Sequence, residues 1–332
     1  MPWGLCGGSS VSWSCRGCGG SLVLGHALFS LTASVTFRIG LGRSFRESDL
    51  DNESFQELFH EVEAMLGSFN ASEYFPFLGW IVDRFSGRFQ RLERIFHELD
   101  NFFQHVIHLH LNPERTKQKH EDIIDVLLRV EREQSEFGAA QFTKDDIMAV
   151  LMNIFLDGVD TGAITMIWAM AELAKNPRLM KKMIIKETLR LHPLVPLLIP
   201  RETMSHFKIN GYDIYPKMLL QVNAWGIGRD PKYWNNPEEF ILERFIKSST
   251  DYKGQNFELL PFGAGRRGCP GMYMATTTTI ELALANLLYF FDWKLPDRMK
   301  EEDINMEESV GLYCLTTNKK KTSLNLVPIK VF

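Results

Sequence analysis

Residues 261 to 271 read PFGAGRRGCPG, a glycine-rich turn that ends on a cysteine just ahead of an apolar helical stretch. Gly263, Gly265 and Gly268 let the backbone turn freely and approach a flat ligand closely, because a residue without Cβ adopts left-handed φ at little cost. Cys269 falls where the exposed N–H groups and positive end of the following helix favour a thiolate. One cysteine with neither C-x-x-C spacing nor a nearby histidine does not make a zinc site, but it suffices as the single protein ligand of a haem iron. Arg267, two residues earlier, is placed to pair with a propionate. A buried structural cysteine in a Gly-rich turn is the plain alternative, and it leaves the joint occurrence of Phe262, Gly265, Arg267, Cys269 and Gly271 unexplained.

Two further stretches carry charge where a core is expected. Glu187-Thr-Leu-Arg190 puts an acid and a base three apart on one helix face, and Arg244 is a candidate third member if that pair is buried. Exposed pairs of this kind are common and worth at most about 1 kcal/mol. Asp157-Gly158-Val159-Asp160-Thr161-Gly162 interrupts an otherwise apolar helix, and its polar groups cost free energy unless hydrogen-bonded. Thr161 is spaced to bond back to the carbonyl of Asp157, and Gly158 is read as leaving room for a small ligand. A chance polar stagger is the alternative for this stretch alone.

Composition narrows the class. A chain of 332 residues with 45% apolar side chains fills a real core, which rules out wholesale disorder. A formal net charge of -4 leaves no basic field for a phosphate backbone, so nucleic acid is not an expected partner. Five cysteines, three of them crowded at Cys6, Cys15 and Cys18, are not the even set of a secreted disulfide scaffold, and a reduced, cytosol-facing setting is expected. Cys15 and Cys18 have zinc-like spacing, but Cys6 and His26 complete the set irregularly, so zinc is not expected.

Residues 17 to 37 carry no charge, yet Gly, Ser, Thr and His26 interrupt them throughout, and no transmembrane helix is expected there. The first 16 residues fit a signal peptide badly. Residues 1 to 26 read as a Gly/Ser/Cys-rich leader without periodicity, disordered by expectation.

The remainder reads as mainly α with minor β. Amphipathic stripes run through Phe55, Leu58, Phe59, Val62, Met65 and Leu66, and through Phe89, Leu92, Phe96, Leu99, Phe103 and Val106. His105 and His108 share a face of the second and read as solvated. A third helix runs from His120 toward Gln134. Thr143 with Asp146 forms a capping-box pattern before a helix apolar on nearly all sides, which should be central. Phe207 to Ile209, Asn210-Gly211 and Tyr212 to Ile214 predict a hairpin with a type I′ turn. The stretch from Gly226 to Asn256 reads as an ordered meander, and helix returns from Gly271 to about Phe291.

Taken together and in this order, the motifs resemble those of the cytochrome P-450 superfamily of haem-thiolate monooxygenases. FGAGRRGCPG is similar to the family's F-x-x-G-x-R-x-C-x-G signature, ETLR to its E-x-x-R, and GVDT to its oxygen-activating helix motif. AELAKNP, IKETLRLHP, PRE, NAWGIGRDP and ELALANLLYFFDW resemble plant microsomal A-type members. The resemblance covers residues 27 to 332 and implies an incomplete cytochrome P-450 fold. It implies Cys269 as axial thiolate and Arg267 and Arg201 as propionate contacts, with Phe262 shielding the sulfur and Gly265 in the same loop. It further implies Glu187, Arg190 and Arg244 as a triad behind the haem, and Asp160 and Thr161 as the proton-delivering pair. The implied activity is insertion of one oxygen atom into a small apolar organic substrate, with electrons from NADPH through a flavoprotein reductase at the cytosolic face of the endoplasmic reticulum membrane.

Departures from the pattern set further expectations. The family's membrane anchor and first helices have no counterpart here. A spacer on the order of thirty residues is missing at Met183-Ile184, so that one helix is expected to run into the next and to misplace Glu187 and Arg190 relative to Arg244. Asp157 stands where Ala or Gly is usual, and Leu242 replaces a Pro before Glu243. The run Thr276 to Thr279 is one residue long, which rotates the following helix unless a π-bulge absorbs it. The competing expectation is a non-catalytic remnant, or an incorrect gene model, that at most binds haem.

Overall fold

The computed structural model describes residues 22–42, 71–113 except 76, 121–134, 142–176, 184–310 and 318–331 except 321, with isolated positions 58, 61, 62, 65 and 115. Its helices are α1 (Leu24–Leu41), α2 (Ala71–Tyr74), α3 (Gly79–Phe85), α4 (Arg88–Leu111), α5 (Ile123–Gln134), α6 (Lys144–Lys175), α7 (Ile184–Leu191), α8 (Ala224–Ile227) and α9 (Glu281–Phe290). The strands are β1 (Leu22–Val23), β2 (Arg201–Glu202), β3 (Phe207–Ile209), β4 (Tyr212–Ile214), β5 (Leu219–Leu220), β6 (Phe291–Lys294), β7 (Glu308–Val310), β8 (Asn318–Lys320) and β9 (Asn325–Lys330). The mainly α, minor β expectation holds.

α6 is the axis of the core. Its capping box forms as the sequence predicts: the Thr143 amide donates to Asp146 Oδ2 at 2.8 Å and the Asp146 amide to Thr143 Oγ1 at 3.3 Å. α1 lies against it with backbones close together. A Cβ at Gly162 would sit 3.0 Å from Thr32 Cγ2, one at Gly158 3.8 Å from Thr36 Cγ2, and one at Gly40 3.0 Å from the Phe155 ring. Gly158 therefore serves helix packing rather than opening room for a ligand, which corrects the sequence reading. Thr32, fully buried in this seam, donates its hydroxyl to the carbonyls of Leu28 and Phe29. Phe37 meets Phe155 edge-on at 4.9 Å, and Phe103 of α4 closes the same cluster.

α1 and α6 are each long and apolar enough to cross a membrane by length and composition, and here they pack on each other. Leu22 to His26, the end of the expected leader, form β1 and the first turn of α1, with Leu22 and Leu24 buried. The rest of the leader, with Cys6, Cys15 and Cys18, lies outside the described residues.

The sheets are small, and one of them joins the two ends of the described chain. β9 pairs antiparallel with both β1 and β6, and β2 with β5. The β3–β4 hairpin turns on Asn210 (φ 49°) and Gly211 (φ 89°), the left-handed pair a type I′ turn requires. After Cys269 a π-helix spans Met274–Ile280 before α9, so the extra residue is absorbed as the sequence suggests.

Two expectations fail. The stripe on α4 is covered only in part: Leu99, Phe103 and Val106 are buried with Ile95, whereas Phe89, Leu92 and Phe96 are roughly half exposed or more. A period identifies a shared face but not what covers it. Nor does α6 run into α7. It ends on its cap residue Asn176 at φ -135°, ψ 73°, with Pro177 next in the sequence, and α7 is described from Ile184.

Candidate haem-thiolate site

The buried triad forms despite the short junction. Glu187 and Arg190, both fully buried, make a bidentate pair through Nε–Oε2 at 2.7 Å and Nη2–Oε1 at 2.8 Å. All five guanidinium N–H groups of Arg190 are used, because Nη1 donates to the carbonyls of Gly228 and Pro237 and Nη2 also to that of Glu239. Glu187 Oε1 accepts in addition from the Ile241 amide at 2.8 Å and from Arg244 Nε at 3.2 Å. Arg244 reaches onward to the carbonyls of Asn235, Asn236 and Glu239. The expected misplacement of Glu187 and Arg190 relative to Arg244 is overturned: the meander wraps its carbonyls around a charge pair that helix α7 presents on one face.

A contact the sequence did not reveal spans the same junction. His192, just past α7, stacks on Trp168 of α6 with ring centroids 4.0 Å apart and planes 5° from parallel, and its Nε2 lies 2.8 Å from Glu172 Oε1. All three residues are buried, so the end of α6 and the end of α7 are tied by packing and a polar contact together. The i, i+4 spacing of Trp168 and Glu172 beside the histidine of LHP is the signal that could have found it.

The Pro261–Gly271 loop is held by three backbone bonds, the first from the Gly263 amide to the Leu260 carbonyl at 3.1 Å. The Cys269 amide donates to the Phe262 carbonyl at 2.9 Å, and the Gly268 amide to the Gly265 carbonyl at 3.0 Å. Gly263 and Gly265 hold φ of 69° and 72°, and a Cβ at Gly265 would meet nothing within 4 Å, leaving open space on its outer side. Phe262 is half-buried and meets the Tyr252 ring edge-on at 5.7 Å. Arg201 of β2 donates Nη2 to the Arg267 carbonyl at 2.9 Å, so both exposed guanidinium-bearing residues border this loop.

Cys269 is exposed as a residue, but its sulfur lies down on the loop, 3.9 Å from where a Cβ of Gly271 would be. Burial pushes the thiol up, and the Asp157 carboxylate adds to that, while the amides of Gly271 and Met272 pull the other way. The balance is upward, which corrects the expectation that the loop alone favours a thiolate. Deprotonation is then coupled to metal binding, as for other cysteine ligands. Asp157 is exposed on α6. One turn on, half-buried Thr161 donates its hydroxyl to the Asp157 carbonyl at 2.5 Å, the back-bond the spacing predicts. Asp160 points elsewhere and is buried.

The donor set suits a porphyrin. A single thiol, open space beside Gly265 of the same loop and the exposed Arg201 and Arg267 next to it leave the remaining metal ligands to a planar macrocycle. Among the described residues the one multi-ligand cluster, His110 with Asp122 and Asp125, is filled by Arg115, which pairs with Asp122 at 2.9 Å and Asp125 at 2.6 Å. His110, whose side chain is buried, was missed by sequence reasoning, whereas His105 and His108 are exposed as expected.

A mainly helical protein with one loop cysteine set opposite a long central helix, backed by a buried Glu–Arg–Arg triad, has the architecture of a haem-thiolate protein. The family model for cytochrome P450 matches residues 16–184 and 180–325, and the chain belongs to that family. It is 52% identical to cytochrome P450 71B19 and 48% identical to cytochrome P450 71B26, both of Arabidopsis thaliana, over 93% and 92% of its length. It spans 66% and 65% of those relatives. The first alignment extends over 339 positions but uses 93% of 332 residues, leaving about thirty positions inside the aligned stretch of the relative without a counterpart here. A zebrafish cytochrome P450 structure with abiraterone superposes with a TM-score of 0.71 at 22% identity, over 96% of this chain and 73% of that one. That likeness shows the fold.

Proposed function

We propose that the chain acts as a haem-thiolate monooxygenase that inserts one atom of dioxygen into a small, largely apolar organic substrate. Electrons come from NADPH through a flavoprotein reductase, at the cytosolic face of the endoplasmic reticulum membrane. The observation that carries this reading is the intact Glu187–Arg190–Arg244 network together with the glycine-rich loop that carries Cys269 and is bonded to Arg201.

In this reading Cys269 holds the iron, and Arg201 and Arg267 pair with the propionates. Phe262 shields the sulfur, and Gly265 admits the flat ring. Haem supplies dioxygen reduction and oxygen transfer when bound. Glu187, Arg190 and Arg244 hold the meander that backs the loop. Thr161, half-buried one turn beyond Asp157, is the last proton carrier, and the buried Asp160 beside it is the acid that the resemblance pairs with it.

The test is the carbon monoxide difference spectrum of haem-loaded protein. A red-shifted, thiolate-type band that Cys269→Ala abolishes and Cys314→Ala retains is the expected result. A band that persists in Cys269→Ala overturns the ligand assignment. The unmatched positions of the alignment favour a second reading, a haem-binding remnant. Oxygen uptake without product, with reductase and NADPH present, is its signature.

A further inference from the structure

The turn from Asp251 to Asn256 supplies none of the proposed haem contacts and no member of the buried triad, yet it touches the Cys269 loop at two places. Tyr252, a buried residue, meets the Phe262 ring edge-on at 5.7 Å. Two residues on, the backbone of Gly254 lies against the loop itself: a Cβ there would come 3.2 Å from the Gly263 carbonyl oxygen and 3.2 Å from Ala264 Cα. Gly254 also holds φ at 78°, so conformation and close approach both call for glycine.

The turn is anchored in its own right. The Asp251 amide donates to Asn256 Oδ1 at 3.0 Å and the Tyr252 amide to Asp251 Oδ1 at 2.8 Å. Lys186 of α7, next to Glu187, donates Nζ to the Thr250 carbonyl at 2.9 Å and lies 3.9 Å from Asp251 Oδ1. The turn therefore links the helix that carries the Glu–Arg pair to the loop that carries the cysteine. What Tyr252 holds there is Phe262, whose carbonyl accepts the Cys269 amide at 2.9 Å.

We propose that Tyr252 and Gly254 are positioning residues for Cys269: together they fix Phe262 and the Gly263–Ala264 backbone, and through the Phe262 carbonyl they keep the sulfur where it can ligate iron. The inference rests on the haem-thiolate reading for what the sulfur binds. Loss of one aromatic pair is enough to shift a two-state ratio by about two- to tenfold. A side chain forced onto a crowded, left-handed glycine should shift it at least as far.

The test compares carbon monoxide spectra of haem-loaded variants at equal haem content. The ratio of the red-shifted band, with the sulfur in place, to the unshifted band should fall about two- to tenfold in Tyr252→Leu and at least as far in Gly254→Ala. Tyr252→Phe keeps the ring and should keep the wild-type ratio. Phe103→Leu removes a buried ring from the cluster between α1 and α6 and should also leave the ratio unchanged, which separates positioning from a general loss of stability. An unchanged ratio in Tyr252→Leu, or an equal fall in Phe103→Leu, overturns the proposal. Hydrogen exchange at the Cys269 amide of the haem-free chain reads the same contact without iron: Tyr252→Leu should speed it about two- to tenfold, and Tyr252→Phe should not. A wild type that binds haem without the red-shifted band refutes the haem-thiolate reading, whereas exchange that Tyr252→Leu leaves unchanged refutes the positioning role itself.

Discussion

Replacing Glu187 by Gln changes one atom and should cost more than almost any surface substitution. The carboxylate is fully buried and accepts four N–H groups: Arg190 Nε and Nη2, the Ile241 amide and Arg244 Nε. Glutamine keeps one oxygen and turns an NH2 toward a guanidinium, so two buried or nearly buried cations lose their counter-charge. Arg190 cannot relax outward, because Nη1 is already held by Gly228 and Pro237 and its guanidinium lies 5.4 Å over the Trp234 ring. Breaking a buried pair from one side costs about 3–5 kcal/mol. At about 2–4 °C per kcal/mol for domains of 150–250 residues, the melting temperature of this longer chain should fall on the order of 5–10 °C. Urea unfolding followed by tryptophan fluorescence measures it directly. The control is Arg129→Gln, which removes an exposed partner of Glu121 held at 3.2 Å and should cost under about 1 kcal/mol. The double variant Glu187→Leu with Arg190→Met should lose less than the two single losses added. A Glu187→Gln loss no larger than that of Arg129→Gln would refute the claim that the network holds the meander in place.

Gly162→Ala should destabilise by about 1–2 kcal/mol, because its Cβ meets Thr32 Cγ2 at 3.0 Å and overpacking outweighs the gain in helix propensity. Gly158→Ala, with 3.8 Å to Thr36 Cγ2, should be neutral or stabilising by up to about 1 kcal/mol, and equal losses in thermal denaturation would contradict the seam described for α1 and α6. Burial pushes the Asp122 carboxyl up, but the His110 hydrogen bond, the Asp125 amide and the charges of His110 and Arg115 outweigh it and hold it below the usual carboxylate range. Such a group adds stability above its unfolded pKa of about 4 that is lost as pH falls through the lower folded value. The stability gap between wild type and Asp122→Asn should therefore be constant near neutrality and close below about pH 4, as read by urea titration at each pH. A gap that widens on acidification would reverse the sign assigned to Asp122.

Much of this was legible because it is local. A capping box, a type I′ turn, a Thr back-bond and the extra residue absorbed by the π-helix each depend on spacings of a few residues, and each stands where the sequence put it. The Glu–Arg pair was legible as a motif, but its setting was not. Its partners are backbone carbonyls of Gly228, Pro237 and Glu239, and a carbonyl has no signature in a sequence. The role of Gly158 was misread for a related reason: a glycine announces that something comes close without saying whether it is a ligand or Thr36 of another helix.

The junction at Met183-Ile184 brings these limits together. Reasoning from helix rise alone treated α6 and α7 as one continuous rod, and a rod cannot turn a charge pair back toward Arg244. The sequence already held the answer in Asn176-Pro177, which ends α6 eight residues before Ile184. With α6 ended there, side chains from both sides set the relation of the two helices: Trp168 and Glu172 of α6 clasp His192 beyond α7. It follows that inserting a spacer of about thirty residues at 183/184, as long as the unmatched part of the relative, should change stability little, because no contact of the triad or clasp is gained. His192→Ala, which removes the stacked ring and the Glu172 contact together, should cost more than the insertion in the same urea titration. If the insertion instead raises stability by several kcal/mol while His192→Ala is neutral, the short junction is strained and the clasp does not carry the alignment of the two helices.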